Sequence, residues 1–254
     1  MFRKKLKEYS QTAGTFRFRG TDNTRIEALS DGVFALATAL LVISTSIPRT
    51  YSELLVFMDD LLPFAICIAL MMLIWYQHYI FFLRYGFKDA TIVAINTFLL
   101  ILILFYIYPL KFLFQVLYTL FKNLFLGNEE QLRLLFSDTI PIENGPVLLV
   151  IYGFGAALIF FTLACMYHIA YMRREKLQLD ELEVFDTRIS RTDNLIMGGI
   201  PVLSAIVCLV WIDQPVTFSI GGFIYWLYPI VMPIAGTLHK RKKQKLIASL
   251  KAAG

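Results

Sequence analysis

Long stretches without a single Lys, Arg, Asp or Glu dominate this chain: residues 61–83, 90–110, 146–172, 194–212 and 214–238, with a further apolar run after Asp31. An α-helix rises about 1.5 Å per residue, so a bilayer core about 30 Å thick takes roughly 20 apolar residues. Several of these runs meet that length. With 57% hydrophobic and only 17% charged residues over 254, the chain has too little polar surface for an ordinary soluble domain. The pattern predicts an all-α integral membrane protein with six transmembrane helices.

The first span is expected from about Arg25 to Ile47, stopping at Pro48-Arg49, and the second from near Glu53 to Arg84. The third covers Ala90 to Pro109, followed by an aromatic tail to Leu126 with Lys111 and Lys122, expected at the interface or against another helix. An acidic loop (127–145) leads to the fourth span, Pro146 to Met172. A mixed-charge segment (175–193) precedes the fifth, Asn194 to Ile212, and the Asp213-Gln214-Pro215 turn joins it to the sixth, Val216 to Leu238. The implied organisation is a basic leader (1–24), a membrane domain (25–239) and a basic tail (240–254).

The net charge of +5 is concentrated at span ends: Lys4, Lys5, Lys7, Arg17 and Arg19 before the first span, and Lys240, Arg241, Lys242, Lys243 and Lys245 after the last. Such clusters set topology, which argues against nucleic acid as a partner. Placing both termini inside also brings Arg84, Lys88, Arg173, Arg174, Lys176, Arg188 and Arg191 to the cytoplasmic face. The expectation is a multi-pass protein of the cell (inner) membrane with both ends cytoplasmic and no removable signal peptide. Cys67, Cys165 and Cys208 all lie in apolar runs and read as buried hydrophobes. With three scattered histidines, no phosphate loop and no catalytic cluster, the sequence points to no enzyme, cofactor or bound metal.

The first span opens on Arg25-Ile26-Glu27-Ala28-Leu29-Ser30-Asp31-Gly32-Val33-Phe34-Ala35. Ionisable groups within a span are costly and are functional candidates for that reason, while Asp31 also gains from the helix dipole as a simple end charge. Both readings stay open on the residues alone. The stretch resembles the transmembrane protein 175 family of lysosomal and prokaryotic potassium channels, whose signature is Arg, three residues, then Phe-Ser-Asp. Here it stands as Arg25, Ser30 and Asp31, with Leu29 in place of the aromatic residue. Trp75 and His78 in the second span match as well, and Asn96 and Pro109 in the third match more weakly.

The resemblance implies a homotetramer of six-span subunits around a central pore lined by the first helix. It also implies a network of Arg25, Ser30, Asp31, Trp75, His78 and Asn96 bracing that helix. Asp31 could accept from His78, Trp75 or Arg25.

Helical spacing places Gly32, Leu36, Ala39, Leu40, Ile43 and Ile47 on one stripe. In the family, large apolar side chains at such positions form the constriction, so Leu36, Ala39, Leu40 and Ile43 are the candidate pore residues, gating by dewetting. An ordinary packing stripe has the same spacing. The family commonly carries Thr or Ser eight residues after the motif Asp, where this chain has Ala39; Thr38 stands one position earlier, off the stripe. The function implied is passive potassium permeation with selectivity weakened at Ala39. The rival from the residues is a proton-coupled secondary transporter with Asp31 and His78 as relay.

Elsewhere, His168 with Tyr167 and Tyr171 reads as an interfacial aromatic belt, and Trp211 and Trp226 as interface anchors. Gly153, Gly155 and Gly198-Gly199 read as close-packing surfaces.

Overall fold

Thr24 and Glu27 set where the first membrane helix begins. The Glu27 amide donates to Thr24 Oγ1 at 3.2 Å, and the Thr24 amide and hydroxyl donate back to Glu27 Oε1 at 3.4 and 3.1 Å. This reciprocal cap satisfies backbone donors that the helix start leaves open, and helix α1 (Arg25–Ile43) follows it. The protein is described as a computed structural model for residues 16–20, 22–43, 47–214 and 216–253. Lys4, Lys5 and Lys7 of the leader and Pro215 of the last turn lie outside the described residues.

After α1 come α2 (Tyr51–Asp59), α3 (Leu61–Tyr85), α4 (Ala90–Leu126) and the short α5 (Glu129–Leu134). A single π turn and a single 3₁₀ turn then lead to α6 (Gly145–Met172), α7 (Glu181–Val210), α8 (Thr217–Ile224) and, after another 3₁₀ turn, α9 (Tyr228–Ala253). Six segments are long and apolar enough to cross a membrane: α1, α2 with α3, α4, α6, α7, and α8 with α9. Arg17 pairs with Glu183 near the start of α7, and Lys243 of α9 pairs with Asp186 one turn on. The N-terminal strap and the last helix therefore sit at the same end of the bundle, called here the basic end.

Helix α1 packs its buried side, Glu27, Ser30, Phe34, Ala37 and Leu41, against α3 and α4. Helices α6 and α7 form the most extensive helix pair, with α8 folded back on it. Two glycines let α6 approach its neighbours, Gly153 against α7 and Gly155 against α4. A Cβ on Gly153 would stand 2.7 Å from the Pro201 carbonyl oxygen, and one on Gly155 would fall inside the Tyr106 ring. Without a hydrophobic drive between helices in lipid, such close approach is a main source of association. Gly198 serves the same purpose under Phe161, whereas Gly199 faces open space and does not.

Three boundaries differ from the sequence expectation. The third span does not stop at Pro109: α4 continues through it to Leu126. Proline costs the helix one backbone bond, and the region is held to α6 by Tyr152 Oη, which donates to the Pro109 carbonyl at 2.6 Å, and Tyr106 Oη, which donates to the Ile151 carbonyl at 2.6 Å. The α4 extension packs on the α2–α3 junction, where Gln115 reaches Asp60 and Tyr118 and Lys122 reach Asp59. The helix of the fifth span, α7, begins at Glu181, well before Asn194, because Asp180 and Glu183 form a complete capping box. Charged residues after Leu238 stay helical, extending α9 to Ala253.

The leader's Arg17 and Arg19 are more than topology charges. Both donate to the buried Glu183 carboxylate, Arg17 Nη2 at 3.0 Å and Arg19 Nη2 at 2.7 Å. The Gly20 amide donates to the Leu83 carbonyl at 3.0 Å, a close approach in which a Cβ would stand 2.3 Å from the Phe82 carbonyl oxygen. The strap thus ties the start of α1 to α3 and α7. Glu183→Ala removes a cap and several charge-assisted bonds, and is expected to cost about 2–4 kcal/mol. Thermal unfolding of solubilised protein should show the loss, and trypsin should cut after Arg17 and Arg19 faster than in the wild type.

Candidate functional site

The motif at the start of α1 is resolved into two separate contacts. Ser30 is fully buried, and its hydroxyl donates to the Ile26 carbonyl at 2.8 Å, one turn back. Its oxygen then accepts from Asn96 Nδ2 at 2.9 Å, and Asn96 Oδ1 lies 2.7 Å from His78 Nε2. Because that amide oxygen can only accept, His78 carries its proton on Nε2. The bonds run one way, from His78 through Asn96 and Ser30 to a backbone carbonyl. His78 is enclosed between Phe34 and Phe82, with ring centroids 5.6 and 4.8 Å away. This chain of bonds pins α1 to α3 and α4 together.

Asp31, half-buried, accepts instead from Trp75 Nε1 at 2.8 Å. Trp75 lies one turn before His78 on the same face of α3 and stacks on Tyr79 at 5.6 Å. Of the three donors open to Asp31 on the sequence, only Trp75 reaches it. His78 bonds Asn96, and Arg25 is exposed without a partner among the described residues. Asp31 and His78 therefore end in different bonds. The start of the helix is capped by Thr24 and Glu27, and the Asp31 carboxylate makes this tertiary contact instead.

The other side of α1 is bare. Leu36 is 51% and Ile43 72% exposed, and Gly32, Ala35 and Ala39 are exposed with them; Leu40 is half-buried. Ile47, beyond the end of α1, is exposed too. Between Gly32 and Ile43 this face carries no charge. Thr38 lies off it, half-buried, with its hydroxyl donating to the Phe34 carbonyl at 2.9 Å. The helix thus turns the polar motif inward together with Phe34, Ala37 and Leu41, and leaves Leu36 and Ile43 uncovered.

At the far end, Lys111 of α4 is buried and donates to the Leu41 carbonyl at 3.2 Å. A cation among the last carbonyls of a helix complements its dipole. The sequence places Lys111 in a tail expected at the interface or against another helix; it packs against another helix, though the sequence does not name its partner. A lone cation two residues after a proline in an apolar run was the available signal. Tyr167 differs from the expected belt, being buried against Phe81 and Tyr85, while His168 is exposed beside Arg191.

Residues 25–106, spanning α1, α2, α3 and the first part of α4, match the family described as endosomal/lysosomal potassium channel TMEM175. A relative from Marivirga tractuosa named "Potassium channel" is 43% identical over 234 residues, 91% of this chain and 94% of that one. The crystal structure of a threonine-to-alanine variant of the potassium channel MtTMEM175, in complex with a nanobody–MBP fusion protein, shares the fold. It has a TM-score of 0.79 and 44% identity, covering 89% of this chain and 97% of that chain. The motif, the six apolar helices and this agreement along nearly the whole length have one explanation: the chain belongs to the TMEM175 family.

Proposed function

We propose that this protein is one subunit of a homotetrameric potassium-permeable channel, with α1 lining the pore and Leu36, Ala39, Leu40 and Ile43 forming its constriction. The observation that supports this most is the orientation of α1, whose polar side is bonded inward while its apolar stripe is left uncovered. Association of copies around an axis brings these stripes together, and rings of leucine and isoleucine gate by dewetting without a carbonyl filter. The relatives named potassium channels support potassium as the permeant ion. Ser30, Asn96, His78, Asp31 and Trp75 brace the lining helix rather than touch the ion. The channel resides in the cell (inner) membrane with its basic end cytoplasmic, as the clustering of Arg and Lys there supports. The leader (1–24) and tail (240–254) flank the conducting domain (25–239).

Purified protein in a planar bilayer tests the reading: linear potassium currents without a proton gradient are expected. Saturable uptake that needs a pH gradient and gives no ohmic current would replace it with a proton-coupled carrier.

Ala39 bears on selectivity. A hydroxyl facing a pore can replace part of an ion's hydration, which a methyl group cannot, and the Thr38 hydroxyl is taken by a backbone carbonyl. Ala39→Thr is expected to raise the potassium-to-sodium permeability ratio several-fold, read from bi-ionic reversal potentials. An unchanged ratio removes Ala39 from the selectivity argument.

A further inference from the structure

At the basic end, the last turn of α6, the residues just after it and the first turns of α7 gather Arg174, Arg188 and Arg191, of which the last two reach no carboxylate among the described residues. Arg188 Nη2 donates to Tyr171 Oη at 2.6 Å, and its guanidinium lies 4.8 Å from that ring centroid. The Arg174 and Arg191 guanidinium groups approach the same ring to 5.1 and 5.4 Å, and Arg191 Nη1 meets His168 Nδ1 at 3.2 Å. Three cations on one phenol ring repel one another unless an anion lies between them.

The anions in reach do little for them. Arg174 has Glu175 at 3.6 Å, but that carboxylate is 89% exposed. Arg188 and Arg191 reach no carboxylate among the described residues, and Arg191 Nε is buried with no hydrogen-bond partner. The acidic groups of α7 nearest in sequence are engaged elsewhere, Asp186 with Lys243 and Asp193 with His239. By contrast, Arg17, Arg19 and Arg173 are all paired with carboxylates. Glu175 and Glu181 line an open cleft of about 450 Å³ together with Arg174 and Arg188.

The surface that leads from this cluster along the helices is apolar. Phe161, Cys165 and Met172 are exposed on successive turns of α6, with His168 among them, and Leu195 is exposed on α7. Phe161 covers Gly198, and a Cβ on Gly199 would meet nothing within 4 Å. A cationic cluster at one end of an exposed apolar face, level with the ends of membrane helices, matches an anionic amphiphile.

We propose that Arg188 and Arg191, with Arg174 and Tyr171, bind the phosphate of an anionic phospholipid headgroup whose acyl chains lie along the exposed apolar face of α6 and α7. Guanidinium groups suit this ligand because their paired N–H donors match phosphate oxygens. The site does not depend on the channel reading.

Thermal unfolding in neutral detergent, with added phosphatidylglycerol or phosphatidylcholine, tests it on the unaltered protein. Phosphatidylglycerol should raise the midpoint by several degrees more than phosphatidylcholine. The pair R188Q/R191Q should abolish the difference and lower retention of phosphatidylglycerol in native mass spectrometry on the order of tenfold. The control K240Q/K242Q removes the same charge from exposed positions of α9 and should leave both readouts unchanged. Three results would overturn the proposal: equal stabilisation by both lipids, an equal loss in the control, or inorganic phosphate alone reproducing the shift. The second would mean diffuse attraction, and the third a site for free phosphate.

Discussion

Leu36→Ala is expected to raise single-channel potassium conductance on the order of tenfold, the effect of lowering a permeation barrier by about 1.4 kcal/mol. The argument rests on where Leu36 stands. It is more than half exposed and lies on the uncharged stripe that runs from Gly32 to Ile43. Truncating it removes apolar bulk from the proposed constriction without opening a cavity inside the subunit, so the fold should be little affected. Truncating a residue of the opposite face has the reverse consequence. Leu41 is fully buried, and its replacement by alanine should cost about 2–5 kcal/mol of stability. Planar-bilayer recordings and thermal unfolding of both variants separate the two effects. Unchanged conductance in Leu36→Ala would move the constriction elsewhere.

Asn96→Leu should be the most damaging single change in the bracing network. It strands two buried groups at once, the His78 Nε2–H and the Ser30 oxygen. A lost buried partner costs about 1–3 kcal/mol in soluble proteins, but hydrogen bonds between membrane helices average nearer 0.6 kcal/mol because the unfolded state finds partners too. The expected loss is therefore about 1–3 kcal/mol, seen as earlier denaturation of the solubilised protein. Trp75→Phe removes one half-buried bond to Asp31 and should cost about 1 kcal/mol or less. Adding His78→Leu to Asn96→Leu should recover part of the loss, since replacing both partners removes the unsatisfied donor. A further loss equal to that of His78→Leu alone would show that the two side chains do not act together.

The membrane character and the helix count were legible because lipid imposes a minimum apolar length, and runs such as 146–172 meet it without interruption. The stripe on α1 was legible from spacing, since periodicity depends only on helix geometry. Boundaries fared worse where a tertiary partner decides them. Nothing local to Pro109 says that α4 continues, because the bracing comes from Tyr152, on another helix. The strap formed by Arg17 and Arg19 was read as charge alone, since its partner Glu183 lies far along the chain. In the motif, residue types were recoverable but pairing was not. Asp31 had three plausible donors, and only packing of α3 on α1 selects Trp75 and sends His78 to Asn96.

The central claim is that the exposed stripe of α1 lines the pore, and cysteine scanning along that helix addresses it most directly. Cys67 and Cys208 are buried, so replacing the exposed Cys165 by serine provides a quiet background. A cationic methanethiosulfonate reagent applied during potassium flux should block Leu36→Cys, Ala39→Cys and Ile43→Cys. It should leave Phe34→Cys, Ala37→Cys and Leu41→Cys unaffected. Block at the second set, or full potassium flux through protein that mass spectrometry shows to be labelled at Leu36→Cys and Ala39→Cys, would contradict the account.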